Sequence, residues 1–284
     1  MTDGTILVGM DGSANAAHAV DWAAAEALLH GWDLLLLHAS VIDDPYGERL
    51  PHPVGEGHLP TYLEHHQVRL ARELPQLDVA VEVVRGNPAS VLIERSADAE
   101  MVVVGARGRS LADRVRLGSV SRHVANHAQC PTVVVRDVPA GVGRPVVVGI
   151  DDSEHVGEVL GWAAYEARLR AAKLVVVHAW EVPMGDPYGT WVPTPEMAEA
   201  IEKQARDFVV DAVGALGDET HGLDVELRVE RGHPVTVTSR LADTAALLVL
   251  GTHGRGWFQG MLAGSVTASA LHDAACPVLV VPHR

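Results

Sequence analysis

At 284 residues the chain is too long for one small core and suits two domains of ordinary size. Apolar residues make up 48% and aromatics only 4%, so the core must be aliphatic, as in buried parallel strands flanked by Ala-rich helices. The formal net charge of −15 argues against a generic nucleic-acid binder, which needs a positive footprint. No leader pattern opens the sequence and no apolar run approaches a membrane span, so a soluble, cytoplasmic protein without a membrane partner is expected.

The first apolar run, Thr5-Ile-Leu-Val-Gly9, stops at Met-Asp11-Gly-Ser13, and it returns as Pro145-Val-Val-Val-Gly149-Ile-Asp151-Asp-Ser153. Each run reads as a buried strand, a turn and a helix N-cap, followed by helices over about 16–30 and 154–171. A second strand ends at His38-Ala39 and again at His178-Ala179. Long connections then share Asp44-Pro-Tyr-Gly47 and Asp186-Pro-Tyr-Gly189, and loops of that length are often functional. The first is longer and carries His52, His58, His65 and His66, which are either solvated or a metal site.

Helices are expected over 62–74 and 195–216. Strand three spans about 79–84 and 225–229, and Arg85-Gly-Asn-Pro88 and Arg231-Gly-His-Pro234 each start another helix. Strand four, 101–104 and 247–250, runs into a Gly-rich loop, and a small-residue helix follows at 120–128 and 266–274. The last strand follows Cys130-Pro and Cys276-Pro, at 132–135 and 278–281. Each cysteine reads either as a small buried thiol or as half of an inter-domain disulfide. The resulting domains are 1–137 and 144–284, with residues 138–143 as linker. Strand-helix alternation of this kind implies an α/β fold with a doubly wound parallel sheet in each half.

The Gly-rich loops carry the chemistry. Gly105-Ala-Arg-Gly108, nine residues, Gly118-Ser119 recurs 146 residues later as Gly251-Thr-His-Gly254, nine residues, Gly264-Ser265. Glycines let a backbone approach a phosphate closely, and the helix that starts at Gly-Ser offers free N–H groups to an anion. In a doubly wound sheet such a loop lies at the crevice beyond the strand ends, beside Gly9–Asp11 or Gly149–Asp151. Asp11 and Asp151 suit ribose hydroxyls or a magnesium ion, and equally an N-cap. The backbone at Ala39 and Ala179 is placed to face an adenine edge. Arg107, Arg109, Arg114 and Arg116 gather in the first loop, as an anion site or as a solvated surface. The second loop has His253 and Arg255 in place of Arg107 and Arg109, with Trp257 and Phe258 beyond, so it is less basic and is expected to bind more weakly. The loop is not a Walker sequence, and it follows strand four rather than strand one, so it is not the dinucleotide fingerprint.

With both loops and both strand-one mouths in place, the chain resembles the universal stress protein family in its tandem, ATP-binding form, over about 3–137 and 144–283. The resemblance implies strand order 3-2-1-4-5, adenine-nucleotide binding and pairing through last strands, as in a homodimer. Carried over by position, phosphates would meet Gly105, Gly108, Gly118, Ser119 and Val120, and in the second copy Gly251, Gly254, Gly264, Ser265 and Val266. Gly9 with Asp11, and Gly149 with Asp151, would meet the nucleoside.

Three functions follow as expectations. The first is a stress-response regulator holding one ATP per half, with or without magnesium, and acting on a regulatory partner. The second is a slow nucleotide hydrolase. No loop lysine and no second carboxylate at fixed spacing supports it, and no catalytic residue is assigned. The third is an interaction module without a ligand. On this reading the fold itself does not require the glycine spacing, so Gly105→Val and Gly251→Val should remove binding and leave the fold intact.

Overall fold

The structure is a computed structural model, and it describes residues 4–40, 60–108, 117–136, 143–182, 193–252 and 264–283. The chain divides into two compact units, Met1–Val138 and Pro139–His283. No described helix is long and apolar enough to cross a membrane.

The first unit runs β1 (Thr5–Gly9), α1 (Ala14–His30), β2 (Asp33–Ser40), α2 (Thr61–Glu73), β3 (Val79–Arg85), α3 (Pro88–Arg95), β4 (Met101–Gly105), α4 (Ser119–His127) and β5 (Thr132–Val135). All its strands are parallel, in the order β3-β2-β1-β4-β5. The second unit repeats this with β6 (Val146–Gly149), α5 (Val156–Leu169), β7 (Leu174–Trp180), α6 (Pro195–Gly214), β8 (Val225–Arg231), α7 (Pro234–Ala242), β9 (Leu247–Gly251), α8 (Ser265–Asp273) and β10 (Val278–Val281). Its parallel order is β8-β7-β6-β9-β10. The winding direction therefore reverses between β1 and β4, and between β6 and β9.

The central strands form because they can be buried on both faces. Ile6, Leu7 and Val8 of β1, Met101–Gly105 of β4 and Val146–Val148 of β6 are all buried. The helices that cover them are small on the inner side: α1 buries Ala16, Ala19, Val20, Ala23, Ala24 and Ala27. Small side chains let the helix approach the sheet closely. A Cβ on Gly105 would come within 2.7 Å of the Asn15 backbone carbonyl.

The helix ends follow their local sequences. Ser13 caps α1 by accepting from the Ala16 N–H at 3.2 Å, and Gly31 closes it in the left-handed region at φ +70°. Asn87 caps α3 and Thr194 caps α6, each with proline at the first helical position. The second unit departs at α5, which begins at Val156 with no side-chain cap. The aspartates of the Asp-x-Ser turns are not the caps. Asp11 Oδ1 accepts the Ser13 N–H at 2.9 Å, and Asp151 Oδ1 accepts the Ser153 N–H at 3.2 Å, which tightens the turn after the strand.

Cys130 and Cys276 are buried and are not joined in a disulfide. Burial pushes the Cys276 thiol up to about 12. Buried and neutral, this thiol behaves as a small hydrophobe.

Candidate functional site

In the second unit a cavity of about 770 Å³ opens beyond the carboxyl ends of β6, β7 and β9. That volume lies in the range of small-molecule sites, and its position is the switch point where doubly wound sheets take ligands. Gly149, Asp151 and Ala179 line it from the strand ends, and Gly251, Gly264, Ser265 and Val266 line it from the Gly loop. Seven residues from four separate stretches of sequence thus share one wall. His253, Gly254 and Arg255 lie outside the described residues, as does Arg109 in the first unit.

The first unit brings the same segments together. Gly118 N–H donates to the Ala106 carbonyl at 2.8 Å, which holds the start of α4 against the loop that leaves β4. Ser121 Oγ donates to the Gly105 carbonyl at 2.6 Å. The second unit reproduces both bonds, from Gly264 N–H to the Thr252 carbonyl at 3.0 Å and from Thr267 Oγ1 to the Gly251 carbonyl at 2.7 Å. Each lock satisfies a strand-end carbonyl from inside the site and leaves the helix N-terminus facing out. The N-caps of α4 and α8 are Gly118 and Gly264, and neither supplies a side-chain cap. Ser119 and Ser265, the first helical residues, are exposed, and Val120 and Val266 are half-buried. Uncapped amides with an adjacent hydroxyl favour an anion by up to about 2 kcal/mol in a partly buried setting.

The glycines of this loop do two different jobs. A Cβ on Gly118 would meet nothing closer than 3.5 Å, and its neighbours would be the Ala106 carbonyl, Ser121 Oγ and the Gly108 N–H. The protein alone tolerates that Cβ; it would intrude on the space between Gly108 and the helix start. Gly105 is the opposite case. A Cβ there would collide with α1, at 2.7 Å from the Asn15 carbonyl carbon and oxygen. Part of the glycine spacing is therefore demanded by helix–sheet packing, and the expectation that Gly105→Val spares the fold is corrected. Gly9 is also close-packed, with Leu92 Cδ1 at 2.8 Å from a Cβ built on it.

Arg107 is half-buried, and its carbonyl lies 3.4 Å from Ser13 Oγ, which joins the Gly loop to the turn after β1. Ala39 lies next to last in β2, paired with Val84. His65 and His66 lie on α2, and burial together with the Arg69 guanidinium lowers the His66 pKa. His52 and His58 lie outside the described residues.

In the sequence His38 and His178 mark only the ends of two strands. The structure gives them a specific place. His38 Nδ1 is 2.8 Å from the Met10 carbonyl, and His178 Nδ1 is 3.0 Å from the Ile150 carbonyl. A carbonyl only accepts, so Nδ1 carries the proton in both copies. Each imidazole thereby ties the end of the second strand to the turn after the first. The signal was present in the sequence as a repeated His-Ala at a strand end. Ser121 and Thr267 were missed as well, although each stands two residues after its Gly-Ser. Asp152 and Glu181 add carboxylates to the cavity wall beside Asp151.

Comparison with known proteins agrees with this architecture. The family model described as "Universal stress protein family" matches residues 4–136 and again 143–282. A universal stress protein of Mycolicibacterium smegmatis is 36% identical over 306 residues, covering 100% of this chain and 98% of its own. Universal stress protein Rv2005c of Mycobacterium tuberculosis is 31% identical over 288 residues, covering 97% and 96%. Among solved structures, a universal stress protein from Archaeoglobus fulgidus superposes with TM-score 0.67 at 18% identity, covering 98% of both chains. A functionally unknown protein from Pseudomonas aeruginosa superposes at 0.70, also at 18% identity, over 98% of this chain and 92% of its own. With both halves matched, the chain belongs to the universal stress protein family as a tandem of two such domains.

Proposed function

We propose that each half holds an adenine nucleotide, ATP with or without magnesium, and that the protein is a cytoplasmic stress-response regulator. The nucleotide acts as a ligand that stabilises one conformation for a regulatory partner, rather than as a fuel. The observation that carries this reading is the second-unit cavity. It joins the mouths of β6, β7 and β9 to the uncapped start of α8, which is the layout needed for a nucleoside at one end and phosphates at the other. Backbone amides and Ser119 or Ser265 hold the phosphates, with Arg107, Arg109, His253 and Arg255 adding charge. Asp11 and Asp151 take the ribose or a metal ion, and Ala39 and Ala179 face the base.

Mass spectrometry of ligands released from freshly purified protein, with ATP added back in equilibrium dialysis, tests the reading. Recovery of ATP or another adenylate is the expected result. An empty protein that also takes up no ATP or AMP overturns it.

One observation favours slow hydrolysis as a second reading: Asp151, Asp152 and Glu181 lie on the wall of one cavity, a carboxylate set able to orient a metal ion or a water. Phosphate release that disappears in the triple Asn/Asn/Gln variant supports it, and its persistence removes it. Homodimerisation through the last strands is the expectation carried by the family resemblance, and sedimentation of the purified chain decides it.

A further inference from the structure

We infer that Tyr62 is a latch over the nucleoside half of the first site, so that the two halves take nucleotide unequally and the second half takes it more tightly. This deepens the nucleotide reading and depends on it.

Tyr62 stands in the first turn of α2. Its hydroxyl oxygen is 2.8 Å from His38 Nδ1, and its ring meets the imidazole edge-on, with centroids 5.8 Å apart and planes at 89°. The same ring lies against Gly12, where a Cβ would stand 3.0 Å from Cε1 and 3.1 Å from Cδ1. His38 in turn rests on the Met10 carbonyl. Met10, Gly12 and His38 are thus the ground that Tyr62 covers directly or through the imidazole. Their counterparts in the second unit are Ile150, Asp152 and His178, and all three line the open cavity. What forms the floor of a cavity in one half is beneath a phenol ring in the other.

Residue chemistry accounts for the difference. The aromatic ring facing His178 is Phe208, with centroids 5.1 Å apart and planes at 60°. It has no hydroxyl, so nothing pins it to the imidazole. At the position of Gly12 the second unit carries Asp152, which lines the cavity. Gly12 also has φ +76°, a conformation that Asp152 in the second unit does not share. Gly12 with Tyr62, and Asp152 with Phe208, are two different pairings at the same place, and only the first has a hydroxyl to bond the imidazole.

The strength of the latch follows from proton count. His38 Nδ1 carries one hydrogen, and the Met10 carbonyl and the Tyr62 oxygen both lie at 2.8 Å from it. The tyrosine therefore accepts a shared bond, not a full one of its own. A modest bond plus ring burial holds the closed state over the open one by about ten-fold, and ligand affinity falls by the same factor because only the open fraction binds.

Isothermal titration calorimetry of ATP into the full chain tests this, with Tyr62→Ala and Tyr62→Phe as variants and Ala205→Phe to fill the second cavity. The expected wild-type result is one tight equivalent and one about ten-fold weaker. Tyr62→Ala should bring the weak equivalent close to the tight one, and Tyr62→Phe should close part of the gap, since it removes the hydroxyl alone. Ala205→Phe should remove the tight equivalent and keep the weak one. Two equal equivalents in the wild type, or a weaker first site in Tyr62→Ala because the ring serves as a stacking platform, overturns the latch. Failure of ATP to bind to any of the four proteins overturns the nucleotide reading itself, whereas binding that ignores Tyr62 overturns the latch alone.

Discussion

The two halves of this chain share a strand order, a Gly loop and a helix lock, yet they differ at the mouth of their first strand. In the first half Tyr62 rests on His38 beside Gly12; in the second, Asp152 stands at that glycine's position, Phe208 faces His178, and a cavity of about 770 Å³ remains. Duplication preserved the Gly loop and its helix lock and let the side chains at the mouth of the first strand diverge. The physical reason is that the Gly loop acts through its backbone, which tolerates little variation, whereas the strand mouth is met by side chains from α2 and α6. A less basic loop in the second half argues for weaker binding there, while the open cavity argues for tighter binding. On the proposed latch, the cost of displacing Tyr62 from the first site outweighs the difference in loop charge.

The comparison breaks most visibly at Gly105. Gly105→Val forces a side chain into the Asn15 backbone and should cost several kcal/mol, on the order of 3 or more, in urea unfolding. Gly118→Ala should cost less than about 1 kcal/mol, since its Cβ meets only ordinary contacts, yet it should strongly weaken ATP uptake at the first site. If both variants unfold alike, the division between packing glycine and cradle glycine is wrong.

Next in size are the hydroxyl locks. Ser121→Ala and Thr267→Val each leave a strand-end carbonyl without its partner, and each should cost about 1–3 kcal/mol by chemical denaturation. Similar values in both halves support a shared Gly-loop scaffold; a large inequality contradicts it.

A smaller contrast separates the helix starts. Ser13→Ala removes the α1 cap and should cost about 1 kcal/mol. Ser153→Ala should stay within about 0.5 kcal/mol, because α5 begins three residues later without a side-chain cap. Equal losses in thermal unfolding would show that the second turn caps its helix after all.

The smallest effect concerns pH. The Cys276 thiol is pushed up from 9.0 to about 12 by burial, so folding favours its neutral form. Its contribution is fully present below pH 9 and is lost as pH rises toward about 12. Native protein at pH 8 should therefore react with iodoacetamide at Cys276 far more slowly than the urea-unfolded chain, and equal rates would refute the burial argument.

Reading the sequence located nearly all of the backbone scaffold. Alternating apolar runs and Gly, Pro and Ser punctuation marked ten strands and eight helices to within a few residues, because those signals are local. The paired Gly loops were legible for the same reason, and seven of the second loop's residues and their strand-mouth partners came to lie on one cavity. Gly105 shows in the sequence as part of a loop motif, but the atom that a side chain there would meet belongs to Asn15, ninety residues earlier. Asp11 and Asp151 were placed correctly at the strand mouth, but their role in a turn rather than a cap depends on backbone geometry that spacing does not reveal.

From sequence alone came a duplicated parallel α/β fold with two glycine cradles, since periodicity, turn residues and repetition are properties of neighbours along the chain. Only the tertiary structure decided which side chain meets the imidazole at the mouth of each first strand, Tyr62 in one half and Phe208 in the other. That depends on whether a ring from the second helix reaches an imidazole on the second strand, a contact between residues 24 positions apart.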